Sequence, residues 1–296
     1  MIVAPIIHTR TFSCDFNSEF LVRPDRFMDS DIKWARKNVL GATGEIDGLQ
    51  GVRWLIADNE KYRIAGVVGF LKNICSKCRM SESDRLKSEE LFCDDKGRLV
   101  YAFIGIVIDK AHSDSFGMLT LDYLWSIYLD KVYPIWKRTY QEIVLESFSN
   151  VNLETVTNRI TEEPISAGSK ELFEANAVTD YELFCNLLCN TNKTNFSFCS
   201  NIVDFNVVKQ SEFSIVTTSR NIITRLKKEN VTKPDSDVKE SLTATVSSSD
   251  SFEQSKESRT KKKRFVTLTI GLTTFAAIIL ILLLTWKTGS GQNIGR

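Results

Sequence analysis

Four residues have the side chains, and part of the spacing, that a zinc site needs: Cys75, Cys78, Cys93 and His112. Cys75 and Cys78 are separated by two residues, which places two thiolates on one tight turn, a geometry that zinc favours. Cys93 follows in the same polar segment, whereas His112 lies beyond a predicted strand. No matching second Cys-x2-Cys pair completes the set. Structural or incidental cysteines are therefore the favoured interpretation and no cofactor is expected, with structural zinc as the alternative.

Residues for nucleophilic catalysis are scarce. His8 and His112 are the two histidines and thus the conventional general bases of the chain. The run from His112 to Ser115 contains a histidine, two serines and an aspartate, but neighbours in sequence do not have the geometry of a triad. Neither a Gly-x-Ser-x-Gly elbow nor a His-Glu-x-x-His motif occurs. The sequence identifies no catalytic residue, and a non-enzymatic function is favoured while an enzyme stays open.

Two further features could be functional but are also typical of a core. Cys185 and Cys189 are four residues apart on a predicted helix that contains Phe184 and Leu188, so buried thiols are expected there. Aromatic residues are dense between positions 123 and 140. They could line a groove for a partner, but packing in the core is the favoured interpretation.

The elements that position these residues predict an α+β domain. Residues 52–57 and 62–71 form apolar runs on either side of an Asp58-Asn59 turn, and residues 98–108 form a third run. Because these runs are almost continuously apolar, their strands should be central and covered on both faces. We therefore predict a central, mainly antiparallel sheet with flanking helices. Further strands are expected at 2–8, 19–22, 151–160, 202–208 and 213–218, and helices at 30–40, 119–132, 135–146, 181–188 and 222–228.

A single stretch, Phe265–Trp286, has the length and composition of a transmembrane helix. It contains no charged residue, and as a helix it would be about 33 Å long, enough to span a bilayer. A basic cluster precedes it, formed by Lys261, Lys262, Lys263 and Arg264. At its other end, Trp286 and Lys287 are suited to the far membrane interface. The positive-inside rule places residues 1–264 in the cytoplasm and the C-terminus across the membrane. This layout predicts a tail-anchored, single-pass membrane protein.

The partners expected from this stretch are the lipid bilayer and its anionic headgroups, which the basic cluster can bind. Thr267, Gly271 and Thr274 fall on one stripe of the predicted helix, where small residues permit close helix–helix contact and homo-oligomers. The formal net charge of +1 gives no indication of nucleic-acid binding.

Four regions follow from these observations: a cytosolic domain over 1–228, a Ser/Thr-rich linker expected to be disordered over 229–264, the span over 265–286 and a short tail over 287–296. The linker lacks the apolar heptads that a SNARE protein carries directly before its anchor. The favoured function is binding of a protein partner or ligand at the membrane surface. The alternatives are an oligomerising effector that clusters its anchors to perturb or permeabilise the bilayer, and a membrane-tethered enzyme.

Overall fold

The computed structural model describes residues 1–17, 19–113, 117–153, 165–167, 169–189 and 195–231. These residues form one mixed β-sheet with helices packed on both of its faces. The predicted α+β class, with a central sheet and flanking helices, is therefore confirmed.

The sheet contains eleven strands in the described part of the chain. They are β1 (Ile2–Thr9), β2 (Val22–Pro24), β3 (Val52–Asp58), β4 (Tyr62–Phe70), β5 (Tyr101–Asp109), β6 (Val144–Glu146), β7 (Ser149–Asn150), β8 (Ile165–Ala167), β9 (Lys170–Glu174), β10 (Ser197–Ile202) and β11 (Ile215–Thr218).

The strand order is β6-β2-β1-β5-β4-β3-β10-β11-β9-β8, and β7 pairs with the start of β1. Neighbouring strands from β2 to β10 are antiparallel. The strands β10, β11 and β9 run parallel to one another, and β6 runs parallel to β2. The sheet therefore has an antiparallel centre and a short parallel region towards the β8 edge.

The helices form two layers, one on each face of the sheet. The described helices are α1 (Asp29–Thr43), α2 (Leu71–Cys75), α3 (Glu82–Glu89), α4 (Leu121–Val132), α5 (Ala177–Cys189), α6 (Phe205–Gln210) and α7 (Arg220–Val231). The first layer consists of α2, α3, α4 and α5, and the second layer of α1, α6 and α7. Single 3₁₀ turns occur at Ile46–Gly48, Lys110–His112 and Tyr133–Ile135.

Strands β3, β4 and β5 lie in the middle of the sheet, as their apolar runs predict. Along β3, Trp54 packs in the core under the first layer and Leu55 packs in the core under the second layer. The turn between β3 and β4 is fixed by the Asn59 side chain, whose Oδ1 accepts the backbone N–H groups of Lys61 and Tyr62 at 2.8 and 2.7 Å. Burial on both faces explains why polar and apolar residues do not alternate along these strands.

Two local predictions were wrong. Residues 202–208 do not form one strand, because β10 ends at Ile202 and the Asp204 side chain then caps α6 by accepting the Val207 N–H at 2.9 Å. Residues 135–146 do not form a helix; a 3₁₀ turn ends at Ile135 and β6 occupies the end of the segment. Most of the strand predicted at 151–160 lies outside the described residues.

Two buried arginines connect the sheet to the ends of helices. The Arg53 Nη1 donates to the carbonyls of Ala42 and Gly44 at the end of α1, and its Nε donates to the Asn201 carbonyl at 3.2 Å. The Arg63 Nη1 donates to the Leu188 carbonyl near the end of α5 at 2.9 Å, while its guanidinium binds Asp58 through two hydrogen bonds of 2.6 and 2.8 Å. Cationic donors suit helix C-termini, whose last carbonyls lack intrahelical partners.

Within the residues that the structure describes, no helix is long and apolar enough to cross a membrane. The predicted span, its basic cluster, its interfacial residues and its small-residue stripe all lie outside these residues, so those assignments stay predictions.

A pair of glycines lets β4 and β5 approach beneath an aromatic ring. Gly66 and Gly105 are direct partners across the two strands, and the Phe103 ring covers both. A Cβ added at Gly66 would lie 2.6 Å from the Gly105 Cα and 2.8 Å from the Phe103 ring. These distances are shorter than any carbon–carbon contact, so the backbone has to shift to admit a methyl group.

We expect Gly66→Ala to lower the free energy of unfolding by about 1–3 kcal/mol, because overpacking here displaces backbone rather than a flexible side chain. Urea denaturation of the detergent-solubilised full chain, followed by tryptophan fluorescence, measures the change. Gly48→Ala is the matched control, since a Cβ at Gly48 meets no atom within 4 Å. Equal denaturation midpoints for the two variants would contradict this account of the glycine pair.

Candidate functional site

The structure does not bring the four candidate zinc ligands together. Among the described residues, no three His, Cys, Asp or Glu side chains converge in a way that could hold a metal ion. Cys93 pairs with Leu99 ahead of β5, whereas His112 follows the opposite end of that nine-residue strand, about 30 Å away. His112 instead binds Asp109, with 3.0 Å between Nδ1 and Oδ2. The segment that contains Cys93 and the segment that contains His112 therefore lie at opposite ends of the sheet.

Cys75 and Cys78 pack beside α2 as neutral thiols. The Cys78 Sγ donates to the Ile74 carbonyl at 3.3 Å, and burial raises the pKa of Cys78 to about 12. Burial likewise raises the pKa of Cys75. On α5, burial raises the pKa of Cys185 to about 11, and on β10 it raises that of Cys199 to about 12. The expectation of buried thiols on α5 is confirmed for Cys185, whereas Cys189 is half-buried.

The run from His112 to Ser115 does not assemble a triad among its described members. The Ser113 Oγ accepts the backbone N–H of Ile2 at 3.0 Å, which holds the start of β1. Asp114 and Ser115 lie outside the described residues. The other histidine, His8, is buried between the rings of Phe16 and Phe20, with centroid distances of 5.0 and 5.9 Å. Burial lowers the pKa of His8 to about 4, so the imidazole is neutral at pH 7.

A cavity of about 530 Å³ lies at the ends of β9 and β10. Polar and charged side chains supply about half of its lining: Gln50, Lys77, Arg79, Thr120, Asp122, Asn176, Asp180 and Asn201. Trp54 and Tyr181 contribute aromatic surface, with their ring centroids 4.9 Å apart. The volume is in the range of small-molecule sites, and apolar walls with a few convergent polar groups are typical of such sites.

The topology creates this cavity. After β9 the chain enters α5 in the first layer, whereas after its neighbour in the sheet, β11, it enters α7 in the second layer. Because the connections leave parallel strands towards opposite faces, a crevice opens beyond the carboxyl ends of those strands. Leu121 and Asp122 in the first turn of α4, and Ala177 in the first turn of α5, also border the crevice.

Asp180 is the buried acid of the cavity. Its side chain is almost fully enclosed, its Oδ1 accepts the Asn176 N–H at 3.4 Å, and the Thr217 hydroxyl hydrogen-bonds to it. Loss of hydration raises the pKa of Asp180 to about 6, although these hydrogen bonds and the charge of Lys77 partly oppose the shift. A carboxyl group with this pKa in a cleft is a candidate functional group.

Asn201 is held in a left-handed conformation, with φ of 53°, at the wall of the cavity. Its backbone N–H donates to the Thr217 Oγ1 at 2.7 Å, and its carbonyl accepts the Arg53 Nε. Such backbone conformations persist only where neighbouring groups enforce them, and they concentrate at functional sites. Thr217 thus links the strained Asn201 backbone to the Asp180 carboxyl.

Lys77 and Arg79 are the cations of the cavity, and both are exposed to solvent. Neither side chain forms an ion pair with a residue that the structure describes. The Arg79 backbone N–H donates to the Asp122 Oδ1 at 2.8 Å, which fixes the loop after α2 against the start of α4. The cavity therefore combines two available cations with two acids, the exposed Asp122 and the buried Asp180.

Sequence reasoning missed this site. Its lining residues come from separate segments between Gln50 and Asn201, and no short motif connects them. The sequence predicts a helix over 181–188, but α5 begins at Ala177, so Asp180 lies in its first turn. An aspartate followed by the apolar positions of a helix is a common helix-start pattern, so the sequence carried no signal of its burial.

No protein-family model, curated protein or solved structure matches this chain.

Asp180 and His8 should impose opposite pH dependences on stability. The folded state holds an extra proton on Asp180 between the unfolded value of about 3.8 and the folded value of about 6, so Asp180 lowers stability as pH rises through this window. The unfolded state holds the extra proton on His8 between about 4 and 6.5, so His8 raises stability over nearly the same range.

We therefore expect Asp180→Asn to gain stability, relative to wild type, as pH rises from 4 to 6, and His8→Phe to lose it. The double variant should have a slope close to that of wild type. Denaturation midpoints measured at half-unit pH steps provide the comparison. Parallel profiles for wild type and both single variants would show that neither group is perturbed by the fold.

Proposed function

We propose that this chain is a tail-anchored membrane protein whose cytoplasmic domain binds a small ligand in the cavity at the ends of β9 and β10. The cavity is the observation that carries the proposal. It combines a suitable volume, converging polar groups, a strained residue and an acid with a shifted pKa. Ligand binding at this site requires no catalytic nucleophile or general base, and the sequence analysis identified no such pair.

The charges of the cavity favour a ligand with an anionic end and a hydrogen-bond donor. Lys77 and Arg79 are available to a carboxylate or phosphate group, since no described side chain neutralises them. Above pH 6 the Asp180 carboxylate accepts hydrogen bonds, so an amine, amide or hydroxyl group on the ligand suits the inner end. A charge-assisted hydrogen bond contributes about 1.5–3 kcal/mol, so these contacts could determine ligand choice.

The membrane part of the proposal rests on the sequence. Phe265–Trp286 would span the bilayer, and the basic residues from Lys261 to Arg264 would keep the domain in the cytoplasm. Confinement to a surface raises the effective concentration of the domain relative to other membrane-bound partners, which gives a binding module a function without catalysis.

One observation favours a second candidate, an enzyme acting in the same cavity. A general acid or base works best with a pKa near the operating pH, and burial brings Asp180 close to that range. If this second function holds, Asp180→Asn should bind the ligand but fail to convert it.

We expect a screen of phosphate- and carboxylate-bearing metabolites to find compounds that raise the melting temperature of the detergent-solubilised full chain. Lys77→Ala/Arg79→Ala should weaken their binding about ten-fold or more, because both cations of the cavity are lost. Lys72→Ala/Lys87→Ala, which removes the same charge from the same helix layer, is the matched control.

Blocking the cavity tests its location directly. Ala177 lines the cavity, whereas the adjacent Val178 is 65% exposed and does not. Ala177→Trp should abolish ligand binding and Val178→Trp should leave it intact. Binding that survives Ala177→Trp would place the ligand elsewhere.

We also expect the full chain to stay in the membrane fraction after a carbonate wash, and a variant lacking residues 265–286 to be released, since that stretch would supply the anchor. Immunoblotting of pellet and supernatant separates the two results. Release of the intact chain would remove the anchor from the proposal while leaving the cavity unaffected.

A further inference from the structure

The two helix layers differ strongly in charge. In the second layer, the helices α1, α6 and α7 expose eight basic side chains: Lys33, Arg36, Lys37, Lys209, Arg220, Arg225, Lys227 and Lys228. Asp29 is the one fully exposed acid on these three helices.

The first layer has no such excess of basic side chains. Its helices expose three basic side chains and five acidic ones: Lys72, Arg85 and Lys87 against Glu82, Glu89, Asp122, Asp130 and Glu182. The loop after α2 adds two exposed cations, Lys77 and Arg79, so the first layer is close to balanced whereas the helices of the second layer are strongly basic.

The basic side chains of the second layer form one continuous surface. The Lys209 Nζ of α6 binds the Glu229 carboxylate of α7 at 2.7 Å, and the Arg225 guanidinium lies 3.8 Å from the Phe205 ring centroid. Lys37 of α1 pairs with Glu212, directly after α6. These ion pairs involve exposed groups and are individually weak.

Neighbouring acids do not cancel this surface. With Asp29 and the ion-pairing acids Glu174, Glu212 and Glu229 counted, there are eight basic residues to four acidic ones, and the exposed Glu45 and Asp47 after α1 bring the acids to six. Lys33, Arg36 and Lys227 form no ion pair with a described residue, so their charge is available to a partner.

Exposed apolar side chains accompany the basic ones. Leu40 on α1 is 41% exposed, Met28 at the start of α1 is 55% exposed, and Val203 just before α6 is 47% exposed. Basic residues combined with accessible large apolar residues are the composition of surfaces that lie in a membrane interface. An anionic polymer that offers no apolar phase would contact the basic side chains and leave the apolar ones without a partner.

We propose that the second layer, formed by α1, α6 and α7, is a docking surface for anionic lipid headgroups and holds the domain flat against the bilayer. Charge complementarity and the exposed Leu40, Met28 and Val203 select the lipid surface over other anionic partners. The last described helix, α7, belongs to this surface, and the predicted anchor lies further along the same chain. The inference goes beyond ligand binding in the cavity and does not depend on it.

The expected strength is considerable, because each basic side chain near an anionic surface strengthens association about five-fold. The first layer, which lacks this excess of basic side chains, would then face away from the bilayer. At about 1 M salt the screening length falls to roughly 3 Å, so docking should be lost there.

Lysine footprinting of the full chain in vesicles tests this orientation. The chain is reconstituted into phosphatidylcholine vesicles with or without phosphatidylserine and treated briefly with acetic anhydride. Mass spectrometry then gives the acetylation rate of each lysine. Lys37, Lys209 and Lys228 should be modified about five-fold more slowly in the anionic vesicles, with recovery at 1 M salt, while Lys72 and Lys87 should be unaffected.

Two variants with identical net charge provide the control. Lys33→Glu/Lys227→Glu should abolish the protection of Lys37, Lys209 and Lys228, whereas Lys72→Glu/Lys87→Glu should retain it. Equal acetylation in both kinds of vesicle would overturn the proposal. It would equally be overturned if single-stranded RNA, but not anionic vesicles, protected these lysines.

Discussion

Two buried arginines on neighbouring strands hold the helix layers to the sheet. Arg53 on β3 reaches the C-terminal carbonyls of α1 on one face, and Arg63 on β4 reaches the end of α5 on the other. A guanidinium in the interior is stable only where several acceptors converge on it, so each arginine requires its helix to end at a defined place. Asp58 neutralises Arg63, whereas Arg53 is held by backbone carbonyls and burial lowers its pKa.

This constraint extends to the cavity. Arg53 holds the carbonyl of Asn201, Thr217 holds its N–H, and Thr217 also contacts Asp180. A chain of polar contacts thus runs from the end of α1 in the second layer to the inner wall of the cavity. A displacement of α1 would be transmitted to Asn201 through one side chain, that of Arg53. The helix layer that we assign to the lipid surface and the cavity that we assign to the ligand are therefore physically connected.

The sequence predicted those parts of the fold whose signal is local. The apolar runs of β3, β4 and β5 revealed central strands, and the apolar spacing in Arg220–Val231 revealed α7. It failed where a single side chain overrides an apolar run, as Asp204 does by starting α6. It also failed for the cavity, because Lys77, Asp122, Asp180 and Asn201 converge only after the strands have been ordered. Strand order depends on long-range pairing, which no short stretch of sequence records.

The buried thiols have a consequence for the durability of the domain. Oxidation by peroxide and exchange with glutathione both proceed through the thiolate, and burial raises the pKa of Cys75, Cys78, Cys185 and Cys199 far above neutrality. These sulfurs act as small apolar side chains within the core. These four thiols should therefore resist both oxidation and exchange with glutathione.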